Sequence, residues 1–203
     1  KYEDSSFVFE PVSALVYALY NEDTIINKNG ESQNILILDI GAGTLDASVL
    51  SINTDGDEVE ADILAVERIN EIGGDKVDEM IYDELGEELL DNFSKEVLIH
   101  HCEKLKITMC KAIIMDNTNE LPALASSDSS RNIIMPNGSQ IRLTYYKLNS
   151  VMHEYYKLVQ DTVNVTLRTA NLSADKIDDV ILAGGGAKNP YLRSKVKSFF
   201  SNS

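Results

Sequence analysis

Residues 35–50 read ILILDIGAGTLDASVL: two apolar runs separated by a turn of small residues, with Asp39 before the turn and Asp46 after it. The runs look like strands of a buried core. Gly41, Ala42 and Gly43 let the backbone approach a ligand closely, so that N–H groups can face phosphate oxygens. A carboxylate does not itself bind phosphate, so two acids beside such a turn suit a divalent cation and its waters lying between them. A Gly-rich hairpin whose acids cap exposed backbone groups accounts for the same residues. Two familiar phosphate binders are excluded. In the dinucleotide fingerprint the third glycine would fall at Asp46, and a strand follows where that motif needs a helix. The Gly-Lys-Ser/Thr ending of a P-loop is absent from the whole chain.

Charge narrows the partners. Against 18 Lys and Arg stand 33 Asp and Glu, a formal net charge of -15 over 203 residues, which repels phosphate backbones and anionic membrane surfaces. The expectation is therefore no nucleic-acid partner and no membrane. No apolar run approaches a bilayer span, and the N-terminus lacks the pattern of a secretory signal. The chain starts at Lys1 and stops at Ser203 just after an apolar helix, which reads as a piece of something longer.

Along the chain the elements alternate. Glu10 to Tyr20 has Pro11 in its first turn and an apolar stripe of Val12, Leu15, Val16 and Leu19, which predicts a helix. Residues 21–34 are a polar linker. Strands are expected at 35–40, 45–52 and 59–70, the last two joined by NTDGDE, where Asp55-Gly56 signals a hairpin. Helices are expected from Gly73 to about Asn92 and from Ser94 to Ala112. Residues 113–143 read as short strands, with Pro136-Asn137-Gly138 turning RNII into QIRL, and Ser126–Ser130 as a soft loop. A long helix from Thr144 to Ala170 leads through NLSADK to the strand DDVILA. A triple glycine, Gly184 to Gly186, then precedes a last helix at Pro190 capped by Asn189. There is no internal repeat.

Two further segments bear on ligands. AGGGAKNP, 183–190, is a strand, a glycine loop and a capped helix, a geometry that lets a ligand approach backbone beside a positive helix end and that also serves as an ordinary connection. In HHCEKLKITMCKA, the stripe Leu98, Cys102, Leu105, Met109 should face the core. Glu103, Lys106, Ile107 and Cys110 form a mixed stripe rotated by about 100°, which suits a cleft wall or a plain helix flank. Cys102 and Cys110, eight residues apart on one helix, are separated by roughly 12 Å along its axis, too far for a disulfide. The adjacent His100 and His101 point apart and do not converge on a metal.

In this order, EPVSALVYAL, ILDIGAGTLDASVL, EIGGDKVDEMI, CEKLKITMC and DDVILAGGGAKNPYLRSKVKSFF resemble successive segments of the ATPase domain of the seventy-kilodalton heat-shock chaperones (DnaK-type), within the actin-like ATPase superfamily. The resemblance covers nearly the whole chain. It implies an α/β fold: the second lobe of an actin-like ATPase, ribonuclease H-like, with a mixed sheet flanked by helices and an inserted smaller α/β subdomain. Residues 1–33 would be the inter-lobe crossing helix and linker, 34–72 with 144–203 the nucleotide-binding subdomain, and 73–143 the insertion.

The resemblance also implies roles. Gly41, Ala42 and Gly43 would line the phosphates, with Asp39 near magnesium-bound waters and Thr44 and Asp46 near the γ-phosphate and the attacking water. Glu10 would lie near the phosphates and couple nucleotide state to the rest of the molecule. Gly73 and Gly74 would approach the ribose and phosphate side, Glu103 and Lys106 the ribose and adenine, and Gly184, Gly185 and Gly186 the nucleoside. Ligands would be ATP or ADP with Mg2+; partners of the parent would be unfolded client peptides bound by a separate domain, a J-domain co-chaperone and a nucleotide exchange factor, in the cytoplasm. The parent would be an ATPase and this lobe alone inactive, since the first phosphate loop, the Asp-Gly-Thr turn and the catalytic lysine of an upstream lobe do not occur in this chain. A filament-forming actin-like protein, a sugar kinase and a degenerate nucleotide-binding scaffold are the alternatives.

The departures are specific. Ala42 stands where the family usually has glycine, which requires a negative φ. Ile107 replaces an adenine-stacking arginine and Cys110 a serine, and Ala187-Lys188-Asn189 replaces the usual serine and arginine contacts. These changes imply weaker adenine affinity or looser base preference and a divergent family member, of a regulatory or exchange-factor branch.

Overall fold

The computed structural model describes residues 10–20, 32–55, 58–86, 93–115 and 129–201. Residues 21–31 of the polar linker, Gly56 and Asp57 of the hairpin turn, and residues 116–128, including most of the Ser126–Ser130 loop, lie outside these, whereas Gln33 and Asn34, expected in the linker, already belong to the first strand.

Strands β1 (Gln33–Ile40), β2 (Thr44–Asp55) and β3 (Glu58–Asn70) form an antiparallel meander, and β6 (Asp179–Ala183) adds in parallel to β1, giving the sheet order β3-β2-β1-β6. Side chains alternate across the pleat. Leu36, Leu38 and Ile40 of β1 and Leu45, Ala47 and Val49 of β2 enter the large core. Ile35 and Ile37, with Leu50 and Ile52, form a smaller cluster on the opposite face. Both faces are therefore covered, which is why the strands read as nearly continuous apolar runs.

Helix α1 (Glu10–Tyr20) covers the smaller face, with Leu15 buried against it and Val12 packed beside it. Val16, expected in the same stripe, is exposed, because this short helix touches only the strip of sheet around β1 and β6. On the other face lie α2 (Gly74–Leu85), α3 (Lys95–Met115) and α4 (Tyr145–Thr169), with α5 (Pro190–Ser201) packed against α3 and α4. Within the described residues α2 stops at Leu85, with Gly86 as its cap; residues 87–92, expected to continue it, lie outside them. Helix α3 runs three residues past Ala112, so 113–115 are helical where short strands were expected. Ile113 extends the buried row Cys102, Leu105, Met109, and that burial carries the helix on.

Strands β4 (Ser130–Ile134) and β5 (Gln140–Thr144) form the expected hairpin, and Gly138 at its turn takes φ +85°. Thr144 caps α4 by accepting from Lys147 N. The far end of α4 closes with Asn171 in the left-handed region and Leu172 N bonded to Leu167 O. Asn34 then pins the approach to β6, its backbone N donating to Asp178 Oδ2 and its side-chain amide to Lys176 O.

Candidate functional site

The turn between β1 and β2 is closed by Gly41 N donating to Thr44 O at 3.0 Å. Its carbonyls point at the start of α2: Gly74 N donates to Gly41 O and Asp75 N to Ala42 O, at 2.9 and 2.8 Å. The first free N–H groups of the helix are thus satisfied by the turn. Gly73 makes this approach possible. A Cβ there would lie 2.1 Å from Ala42 O and 2.7 Å from Gly43 N. Ala42 keeps a negative φ, so its methyl group is accommodated without backbone strain. On the other side Gly184, at φ +83°, packs so tightly that a Cβ would meet Ile40 O at 2.4 Å and Asp39 Oδ1 at 2.5 Å.

Between the turn, α2, α3 and the 185–189 loop lies a cleft of about 480 Å³. Gly41, Ala42, Gly74, Glu103, Lys106, Ile107, Cys110, Gly185 and Gly186 all line it. The mixed stripe of α3 is therefore a cleft wall. Val77, Ile114, Met152 and Tyr155 add apolar surface, and Asp75, Asp78, Lys111, Lys188 and Asn189 add polar groups. Such a cavity, largely apolar with a few converging polar groups, is of the size that takes a small molecule.

Asp39, Thr44 and Asp46 do not line this cleft. Asp39 and Asp46 are direct cross-strand partners and alternate with the core residues Leu38, Ile40, Leu45 and Ala47, so they project from the α1 face at the same edge of the sheet. The turn stands between the acids and the cleft. Gly43, Gly73 and Gly184 also lie outside the lining; the last two act as points of close backbone contact. Glu10 begins α1, and its side chain lies outside the described residues.

Lys106 Nζ donates to Asp78 Oδ2 at 2.7 Å and to Gly74 O at 3.0 Å, joining α3 to the start of α2. Burial pushes the Asp78 carboxyl up to about 6 despite the lysine, and its Oδ1 has no partner among the described residues. Burial likewise raises the thiols of Cys102 and Cys110 to about 12; both are unpaired. His100 turns outward to bond Glu103 Oε2 at 3.2 Å, away from any metal geometry. Tyr155 Oη donates to Ile72 O just before Gly73, steadying the same junction from α4.

Asp78 is a site residue that sequence reasoning missed. Its signal was a lone acid inside the buried stripe Val77, Asp78, Ile81, Leu85 of α2. Met152 and Tyr155 carried no such signal, since within α4 they read as ordinary core residues. Arg68, in register with Asp46 and with Nε 3.5 Å from its Oδ1, was also missed.

The sequence matches the family described as Hsp70 protein over residues 7–203. The chain belongs to the Hsp70 family. Among similar curated proteins, the chaperone protein DnaK of Thermotoga neapolitana is 30% identical over 201 residues, covering 94% of this chain and 31% of the relative. The DnaK proteins of Thermotoga petrophila and Thermotoga maritima are each 28% identical over the same shares. This Hsp70 chain thus spans about a third of the length of the relatives it matches. Its mixed sheet flanked by helices is the fold class expected of the family's actin-like ATPase lobe. Among its described residues no helix is long and apolar enough to cross a membrane.

Proposed function

We propose that this chain is the second lobe of the nucleotide-binding domain of an Hsp70-type chaperone, which binds and hydrolyses ATP to switch a separate peptide-binding domain. The observation that carries the reading is the convergence of the β1–β2 turn, the mixed stripe of α3 and the loop at Gly185 and Gly186 on one cleft, although the first and last of these lie more than 140 residues apart in the chain. In this reading 34–72 and 144–203 form the nucleotide-binding subdomain, 73–143 the insertion, and 1–33 the inter-lobe crossing. The parent acts in the cytoplasm with a J-domain co-chaperone and an exchange factor, and the lobe alone is inactive.

The nucleoside lies in the cleft along Glu103, Lys106, Ile107 and Cys110, with Gly185 and Gly186 opposite. The N–H groups of Ala42 and Gly43, which take no backbone acceptor among the described residues, face the phosphates. Asp39 and Asp46 suit magnesium held mainly through water. They offer hard oxygen donors side by side, and no group of three or more potential ligating side chains occurs among the described residues to replace its water shell. When bound, magnesium would neutralise charge on the phosphates. Thr44 and Asp46, at the end of the turn, orient the attacking water, and Asp39 holds the water shell. Catalysis is then positioning and electrostatics.

Calorimetric titration of Mg-ADP and Mg-ATP into the full-length protein, followed by phosphate release, tests this. Tight binding with slow release is expected, with Asp39→Asn slowing release while leaving binding largely intact. Unchanged release in that variant would count against the assignment. A degenerate scaffold is the second reading, favoured by the apolar Ile107 and Cys110 in the cleft wall; absence of detectable nucleotide binding would select it.

A further inference from the structure

Asp39, Asp46 and Arg68 form a single row across three strands. Asp39 is in register with Asp46 across β1–β2, and Asp46 with Arg68 across β2–β3. Residues directly opposite one another share a face, so all three side chains project from the α1 side, beside the turn. Arg68 Nε reaches to 3.5 Å from Asp46 Oδ1; the carboxylate is mostly covered, at 17% exposure, while the arginine is 57% exposed. Two like charges in register are unfavourable, and an opposite charge on the next strand offsets them. The row thus carries a cation of its own at the place where the proposed function puts magnesium and its waters.

We propose that Arg68 is a positioning residue that neutralises and orients Asp46, and that in doing so it competes with a divalent cation for the Asp39–Asp46 pair. The guanidinium already lies against one oxygen of Asp46, and its charge opposes a second cation brought to the same carboxylates. Arg68 lies on β3, an edge strand, next to Asp46 rather than Asp39, so its charge acts mainly on the Asp46 side of the pair. This Hsp70 lobe therefore holds its acid pair ready without metal and binds free divalent cation weakly. The proposal rests on the reading of Asp39 and Asp46 as the cation side of the nucleotide site, but its test needs no nucleotide.

The test is Mn2+ binding to this chain, followed by the loss of the free-ion electron paramagnetic resonance signal, for wild type, Arg68→Gln and Arg68→Lys. Because Arg68 is largely exposed, both variants should fold, which circular dichroism and thermal melting check. Arg68→Gln should bind Mn2+ about three- to tenfold more tightly than wild type, as expected for removing one nearby charge in a mostly aqueous setting. The difference should shrink as salt is raised through about 0.1 M, where exposed charges are screened within about 10 Å. Arg68→Lys keeps the charge and should stay near wild type. Equal, measurable binding by wild type and Arg68→Gln would overturn the role of Arg68 alone. Weaker binding by Arg68→Gln would overturn the competition. No binding by either would overturn the proposal together with the reading of the acid pair as a cation site, whereas a failure to bind nucleotide in the full-length protein would leave this result standing.

Discussion

Lys106 Nζ lies 2.7 Å from Asp78 Oδ2 and 3.0 Å from Gly74 O, and Gly74 N in turn donates to Gly41 O of the β1–β2 turn. A lysine on α3 is thereby connected, through the first turn of α2, to the loop proposed to hold phosphate. Lys106 therefore bridges the α3 wall of the cleft and the β1–β2 turn, and its partner Asp78 is the one buried charged side chain among the described residues.

Asp78 makes stability depend on pH. Its carboxyl is raised from 3.8 to about 6, burial being the main cause, with Lys106 opposing the rise and Glu103 and Asp75 adding to it. A carboxyl raised on folding favours the folded state fully below its unfolded value, and that contribution is lost as pH climbs through about 6. A shift of this size corresponds to about 3 kcal/mol. Urea unfolding at pH 4, 5, 6 and 7 should show Asp78→Asn gaining stability relative to wild type across this range. Parallel curves for the two proteins would refute the assignment.

The glycines of the turn separate into two classes. A Cβ at Gly43 meets nothing within 4 Å and its φ is not positive, so Gly43→Ala should change stability by no more than about 0.5 kcal/mol. Gly73→Ala forces backbone to move away from Ala42 O and should cost about 1–3 kcal/mol. Denaturant melts of the two variants make the comparison, and equal stabilities would contradict the close approach.

Ile107, 39% exposed, lines the cleft where the proposed function puts the base. Ile107→Arg adds a cation over an aromatic ring at a site where such contacts contribute about 0.5–2 kcal/mol, so Mg-ADP affinity should rise by about two- to thirtyfold. Calorimetry on the full-length variant measures it. An unchanged affinity would place the base elsewhere in the cleft.

Cys102 and Cys110 are buried, and both thiols are pushed up to about 12, which leaves almost no thiolate at neutral pH. Native chain treated with a chromogenic disulfide reagent at pH 7.5 should release almost no colour, with both thiols reacting once urea unfolds it. Prompt reaction of one thiol in the native state would show that the α3 wall opens.

Local sequence determined most of the architecture, because the signals are short-range. The 3.6-residue stripes marked the helices, Asn189 and Thr144 marked caps, and Pro136-Asn137-Gly138 marked a turn. Asn189 Oδ1 accepts from Tyr191 N at 3.0 Å, and Thr144 Oγ1 from Lys147 N at 3.1 Å, each cap acting within three residues of its own position. The mixed stripe on α3 was legible too, as either a cleft wall or a plain helix flank, and the packing of α2 and α4 beside it decided for the cleft wall. Three features were decided only by tertiary structure. The row Asp39, Asp46, Arg68 depends on the pairing of three strands, where a slip of one residue would turn each side chain to the other face. The Asp78–Lys106 pair joins residues 28 apart on two helices, and only their packing takes the carboxylate out of water and raises its pKa. The extra turn of α3 through Ile113 follows from burial against the core rather than from any local stop signal. Contacts made within one turn of chain are written in neighbouring residues, whereas register and desolvation exist only once distant segments have packed together.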